Sequence, residues 1–552
     1  MNSVTPKQFQ PRLPVESLLV RGPAGDNSVP LDVVFVGAGP AGLAGAIELK
    51  RLVREAQARG ESVADVEVGV LEKAEALGEH NLSGAVVNPS AFRELFPGMP
   101  DSEFPLKAPV SGEAVYLLTE YGEWKLPTPP TMKNHGNFVA SISEIVRWLG
   151  AKAEAAGVNL FTGFPAAALR VEGAAKVVGV RTTPSGLERD GSAGANAQPH
   201  TDIEARVTVL SEGTRGLLTQ AWLDWQQVGS KNPQIYALGV KELWETKVPL
   251  DEVVHTMGWP LPKDAFGGSF AYPLEKNLVA LGLVVGMDWK QSGLDVHLLL
   301  QRMKQHPFFA RLLQGGELVE WGAKTIPEGG YWSLPDRRSG DGILLLGDAA
   351  GFVDVPTLKG IHYAMWSGIF AARAIFAALR KDDVSYGALR EYDKLVNESV
   401  IVKDLWRTRN MRLAFKSGFY LGGAKAALMA ASGGALFGGR PHIEEDAADE
   451  KEVTPSGSFV ADGKLTFSKV DAVFKSGNQT RDSIPSHLLP TADVPTEVAK
   501  MYAALCPAGV YEVVDGKLRI NAPNCIDCKA TDVLGPRWTP REGGSGPKYR
   551  RM

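Results

Sequence analysis

The sequence predicts an α/β protein of more than one domain, and three observations carry that prediction. A β-branched run, LDVVFV (31–36), ends on glycines and is followed by a helix-forming segment and a second strand. A second buried strand, within GILLLGDAAG (342–351), runs into another glycine turn. All three cysteines lie beyond residue 500, in a terminal piece that reads as compact. At 552 residues the chain is long enough for about three domains.

Composition narrows the class. The chain is 44% hydrophobic and 22% charged, enough for a sizeable core and too apolar for wholesale disorder. A net charge of −4 argues against nucleic acid as a partner, which would need a basic face. Three cysteines in so long a chain make no disulfide framework and point to a reducing compartment. The N-terminal thirty residues contain no apolar stretch of the secretory kind. The nearest candidate for a membrane span, residues 417–439, is Gly-rich and carries Lys425, so the chain is expected to be soluble or to sit on a membrane without crossing it.

Taken in order, AGLAGAIELKRLVREAQA (41–58) has helical composition and VEVGVLEK (66–73) reads as a strand, which completes a βαβ unit. Residues 184–203 are rich in Gly, Ser, Asn and Asp and read as an exposed loop. From about 225 to 335 the texture changes, with SFAYPL and VALGLVVGMDW as strands and WPLPKDAFGG as a connection. Residues 360–381 read as a mostly apolar, buried helix. EEDAADEKE (444–452) reads as an acidic linker or a solvated helix face.

GAGPAG places Gly37, Gly39 and Gly42 at G-x-G-x-x-G spacing between strand and helix. The first glycine makes the turn, the second admits a pyrophosphate and the third lets helix and strand pack. The helix N-terminus then offers unpaired N–H groups to the phosphates. Glu72, the acid at the end of the second strand, lies further on than the usual twenty or so residues because the helix and loop are long. GAGPAGL with LEK, and the second motif LLLGDAAGFVDVP, select FAD among nucleotides. Asp348 is placed near the ribityl chain or ribose, and the following helix aims its dipole at the flavin ring. The plain alternative for Asp348 is a helix N-cap.

LEKAEALGEHNLSGAVVNPSAFRELFPG, LGVKELWE, GGSFAYPL, EGGYWSLP, GFVDVPTLKGIHYAMWSGI and CPAGVYE closely resemble the electron transfer flavoprotein–ubiquinone oxidoreductase family, from about residue 31 to the C-terminus. The resemblance implies a Rossmann-like FAD-binding domain of the glutathione-reductase/hydroxylase type (30–225 and 336–400) and a quinone-binding, membrane-facing α+β domain (226–335). Connecting helices with an acidic linker (401–480) and a C-terminal ferredoxin-like iron–sulfur domain (481–552) would follow. It implies electron transfer from reduced electron transfer flavoprotein through FAD and a cluster to membrane ubiquinone. The implied location is peripheral, or monotopic, on the cytoplasmic face of a bacterial inner membrane, with the mitochondrial inner membrane as the alternative. Gly37, Gly39, Gly42 and Glu72 look like the ADP side of the FAD site, Ser83 and Gly84 like isoalloxazine neighbours, and Gly347, Asp348, Gly351 and Gly360 like the flavin and ribityl side. Gly267, Gly268 and Phe270 are similar to the family strand that approaches the quinone, though Phe270 reads equally as core. Asp348, Thr357 and Ile361 depart from members' residues, which alters the expected hydrogen bonding near the flavin.

The cysteines resemble three of the family's four [4Fe–4S] ligands: Cys506, followed by Pro507, then Cys525 and Cys528. Thr531 stands on the rung where the fourth would fall, and its hydroxyl is a poor ligand for iron. Three readings stay open: a [4Fe–4S] cluster whose fourth iron takes Asp532, Asp527 or solvent; a [3Fe–4S] cluster; or a lost cluster. A zinc site is the bland alternative. Rival functions are an FAD-dependent monooxygenase or geranylgeranyl-type reductase, and a non-catalytic flavoprotein with a decayed cluster site.

Overall fold

The computed structural model describes residues 3–84 and 86–552; Ala85 of the LSGA string lies outside them. β1 (Val29–Val36) buries its last four residues and feeds a turn at Gly37. Helix α1 (Pro40–Ala58) follows, with proline at its first position, where the missing N–H costs nothing. β2 (Val68–Glu72) is buried throughout, as a central parallel strand must be. β3 (Asn159–Thr162), β2, β1 and β6 (Asp202–Leu210) run parallel in that order, and β5 (Lys176–Thr182) and β4 (Ala166–Glu172) extend the sheet antiparallel. β7 (Ile343–Leu345) joins β6 in parallel and delivers the second glycine turn to the same sheet end as the first. Helix α2 (Ile361–Leu379) packs along α1 over one face. There Gly368 and Gly45 permit contact: a Cβ at Gly368 would come within 2.2 Å of the Ala41 carbonyl oxygen.

A second sheet stands beside the first. Its strands run in the order Glu317–Pro327, Tyr236–Glu245, Leu278–Gly286, Gly267–Glu275, Val253–Gly258, Glu113–Leu118 and Glu123–Leu126. All neighbours are antiparallel except Val253–Gly258 with Glu113–Leu118. One apolar cluster joins this sheet to the cysteine module, with Trp244 and Trp321 in the same core as Leu505, Tyr502 and Val533. The module is therefore packed into the body of the protein.

Two expectations are corrected. Residues 184–203 form an antiparallel hairpin, Ser185–Leu187 with Ala193–Gln198, and the start of β6. Its polar composition reflects exposure, and its pairing and its contacts with Arg481 and Glu542 fix its shape. Residues 444–452 are neither linker nor helix. Asp446 is buried and accepts a hydrogen bond from the Tyr236 N–H (2.7 Å), and Lys451–Glu452 pair with Ser3–Val4.

Behind the second sheet Glu242 is wholly buried, accepting from Lys304 Nζ (2.9 Å), Trp244 Nε1 (2.6 Å) and Gln301 Nε2 (3.2 Å). Lys304→Met leaves that carboxylate without its cation. A loss of about 3–5 kcal/mol is expected, read as earlier unfolding of this region in urea.

Candidate functional site

A cavity of about 370 Å³ is lined from both sheets and by both glycine turns. At the first turn a Cβ on Gly37 (φ +103°) would lie 2.5 Å from the Ser211 carbonyl oxygen, so this position is closed to other residues. A Cβ on Gly42 would lie 2.4 Å from the Gly37 carbonyl oxygen; Gly42 is thus a packing glycine and does not line the cavity. Gly39 does line it, with only Asn81 Nδ2 at 3.9 Å from a would-be Cβ, so its backbone is open to a ligand. The Glu72 carboxylate accepts from the Ala38 N–H (3.1 Å) and the Ala74 N–H (3.0 Å), which braces the turn and leaves a lone pair on each oxygen for a ribose hydroxyl.

The opposite end is built from the second turn. Gly347, Asp348 and Gly360 line the cavity, and α2 begins at its wall with Ile361. Gly351 lies off it, in a neighbouring cavity of about 200 Å³ behind Asp348. Burial pushes the Asp348 carboxyl up to about 6, against the pull of Lys324 and the Thr214 hydroxyl. Ser83 and Gly84 line the middle, and the Ser83 Oγ is buried without a partner. So is Nζ of Lys241, 1% exposed and with its pKa lowered by burial to about 7. Two orphaned polar atoms in the lining suit a polar-edged ring, and the open turn beside two helix N-termini suits a diphosphate. The residues present fit FAD. Five lysines line this space: Lys73, Lys241, Lys324, Lys359 and Lys529. Single-residue signals hide them, because each comes from a different element.

Of the three residues expected at the quinone, only Phe270 lines the cavity, stacked on Tyr272 with ring centroids 4.7 Å apart. Gly267 and Gly268 sit at the start of the same strand, and their would-be Cβ atoms meet the Val284 and Thr256 carbonyl oxygens at 2.2 and 2.7 Å. They serve the sheet's own packing. Val284, Val353 and Leu358 complete an apolar wall.

Cys506, Cys525 and Cys528 converge on one buried void, shared with Tyr511 and Thr531. Burial raises all three thiol pKa values, that of Cys525 to about 12. Yet each sulfur faces backbone N–H groups: Ala508 and Val510 at Cys506, Asp527 at Cys525 (3.5 Å) and Ala530 at Cys528. Such donors favour thiolates carrying iron. Asp527 and Lys529 hold positive φ (54° and 68°), strain that a loop wrapped around a group retains. The three thiols therefore fit three corners of an iron–sulfur cluster.

The fourth corner differs from expectation. Thr531 Oγ1 is hydrogen-bonded with the Tyr511 hydroxyl (3.1 Å). Asp532 accepts from Arg215 Nε (2.6 Å) and the Trp538 N–H (3.0 Å), and Asp527 from Lys73 Nζ (2.6 Å), Trp538 Nε1 (2.9 Å) and Arg541 Nη2 (3.1 Å). Neither carboxylate lines the void, although Asp527 Oδ1 lies 3.7 Å from Cys525 Sγ. Lys529 and Trp538, which sequence reading missed, line both the void and the large cavity, the ammonium 3.3 Å from the indole centroid.

A two-sheet fold with paired glycine turns and a nucleotide-shaped cavity defines an FAD-binding flavoprotein. A geranylgeranyl bacteriochlorophyll reductase-like protein from Thermoplasma acidophilum shares the fold, with a TM-score of 0.56 and 19% identity over 74% of this chain and 92% of that one. Two family models match: "ETF-QO, ubiquinone-binding" over residues 236–326 and "Electron transfer flavoprotein-ubiquinone oxidoreductase, 4Fe-4S" over 463–550. The mitochondrial electron transfer flavoprotein-ubiquinone oxidoreductase of Oryza sativa subsp. japonica is 38% identical over 96% of this chain and 94% of its own length. That of Homo sapiens is 35% identical over 94% and 89%. The chain belongs to the electron transfer flavoprotein–ubiquinone oxidoreductase family.

Two predictions follow from this geometry. Gly42→Ala forces the α1 entry off β1 and is expected to lower flavin content at least severalfold, read as the ratio of flavin to protein absorbance in the purified protein. Burial pushes the Asp354 carboxyl up to about 7, against the Thr408 hydroxyl and Lys359 and with Asp404 adding to the shift. Above about pH 4 the unfolded chain has released a proton that the native chain still binds, so stability falls as pH rises from about 4 to about 7. Asp354→Asn is expected to raise the unfolding temperature at pH 8 and to change it little at pH 4, checked by thermal scans at the two pH values.

Proposed function

We propose that this chain takes electrons from reduced electron transfer flavoprotein and passes them, by way of FAD and an iron–sulfur cluster, to ubiquinone at a membrane surface. The observation that carries the reading is the shared wall: Lys529 and Trp538 belong at once to the flavin-type cavity and to the three-cysteine void. Bound FAD supplies a carrier of one or two electrons, and a bound cluster a carrier of one. The chain's own part is positional. Gly39 and the α1 N-terminus take the diphosphate, Glu72 the ribose, and Ser83 and Lys241 the polar edge of the ring. Phe270 and the valines beside it keep water from an apolar quinone. No nucleophile or proton-shuttling triad is required.

The helix Phe419–Ala431 leaves Leu421 and Leu428 about half exposed on one face, and Leu436 and Phe437 follow it into solvent. At the tip of the hairpin Glu113–Leu126, Tyr121 and Trp124 are 81% and 68% exposed. The turn after that hairpin (Pro130–Met132) touches Val355–Thr357, which touches Met411–Ala414, which packs on the exposed helix. Leu358, half exposed beside this line of contacts, also lines the cavity. No helix of the described residues is long and apolar enough to cross a membrane, so the attachment we propose is peripheral. Our reading places it on the cytoplasmic face of a bacterial inner membrane, with a mitochondrial setting, as in the relatives' names, as the alternative.

Anaerobic mixing with reduced electron transfer flavoprotein and a short-chain ubiquinone is expected to give catalytic quinone reduction; a protein that neither reoxidises the flavoprotein nor reduces the quinone would overturn the reading. Leu421→Glu with Leu428→Glu removes two apolar anchors worth about 1.5–3 kcal/mol each when buried. At least a tenfold fall in vesicle binding is expected in a flotation assay.

A further inference from the structure

We propose that the cysteine module of this chain holds a three-iron, four-sulfide cluster, with the Thr531–Tyr511 hydroxyl pair standing where a fourth iron and its thiolate would be. The inference rests on the reading of the module as an iron–sulfur site and departs from the four-iron description attached to its family model.

A fourth iron needs a donor atom at its corner, and every candidate on the page is spent or set off the void. The residue on the fourth rung is a threonine, a neutral alcohol that gives up its proton with difficulty. Its oxygen is already hydrogen-bonded to Tyr511, itself buried. Asp532 is locked between Arg215 and the Trp538 N–H, and Asp527 among Lys73, Arg541 and the Trp538 indole. Withdrawing either carboxylate towards a metal would strand buried cations. His487 is buried with both ring nitrogens unpartnered, but it groups with Asp527 and Cys525 and does not line the void. Solvent is a poor substitute, since Cys506, Cys525, Cys528, Tyr511 and Thr531 are each at most 8% exposed.

The other three corners are intact. Three sulfurs share one void, each with backbone N–H donors, and the loop keeps its two left-handed residues. A decayed site would have no reason to keep them. Ligation releases three protons as three thiols become three thiolate–iron bonds, which is the full complement a three-iron cluster asks of a protein.

The test is iron and acid-labile sulfide counting on the full-length flavoprotein purified without oxygen, with EPR of the oxidised form. Three irons and four sulfides per chain are expected, with a paramagnetic oxidised cluster. Adding ferrous iron with a thiol reductant should leave the count at three. Thr531→Val, which keeps the shape but not the hydroxyl, should also keep three irons, whereas Thr531→Cys should take up a fourth and become EPR-silent when oxidised. Four irons in the natural protein, or loss of iron in Thr531→Val, would overturn the inference while leaving the module an iron–sulfur site. Absence of iron from both the natural protein and Thr531→Cys would overturn the parent reading with it.

Discussion

The arrangement of the whole protein hangs on one buried carboxylate, Asp527. It sits inside the C-x-x-C loop, 1% exposed, and its partners come from different parts of the chain. Lys73 arrives from the end of β2, one residue after the FAD-side Glu72, and Arg541 and Trp538 come from the cysteine module itself. The loop's own backbone carries the third link: the Asp527 carbonyl accepts from Lys324 (3.2 Å) and the Cys528 carbonyl from the Thr325 N–H (2.9 Å), both on the edge strand of the second sheet. Burial opposes the ionisation of Asp527, but Arg541, Lys73 and the neighbouring histidines outweigh it and hold the carboxyl well below the usual range. Three regions are thus pinned at the loop that carries two of the thiols, by one ion pair and two hydrogen bonds to its carbonyls.

Charge follows the same plan. Five lysines around the cavity suit a diphosphate and a ring that gains electrons; of the acids there, Glu328 pairs with Arg412, Asp348 is raised by burial towards the neutral form, and Glu72 and Glu212 accept from backbone N–H groups. Phe270 and Leu358 give the cavity an apolar stretch of wall, and the helix Phe419–Ala431 exposes Leu421 and Leu428. Cationic and apolar wall residues thus line one continuous space.

Local chemistry was legible in the sequence and long-range chemistry was not. The βαβ unit, both glycine turns and the C-x-x-C pair announce themselves because their function depends on spacing within a few residues. The shared wall of Lys529 and Trp538, and the Lys73–Asp527 bond across 454 residues, depend on tertiary contacts that no spacing encodes. Gly267 and Gly268 show the limit of spacing: a glycine required by a neighbouring carbonyl reads the same as one required by a cofactor. Residues 444–452 misled by composition: an acidic run looks solvated until Asp446 is seen capping the Tyr236 amide in the interior.

The central claim is that one chain carries two electron carriers on either side of a common wall. Counting electrons tests it most directly, by anaerobic coulometric titration of the purified protein followed optically and by EPR. Three electrons per chain are expected, two assigned to the flavin bands and one to the cluster signal. Uptake of two electrons, all in the flavin bands, would contradict it.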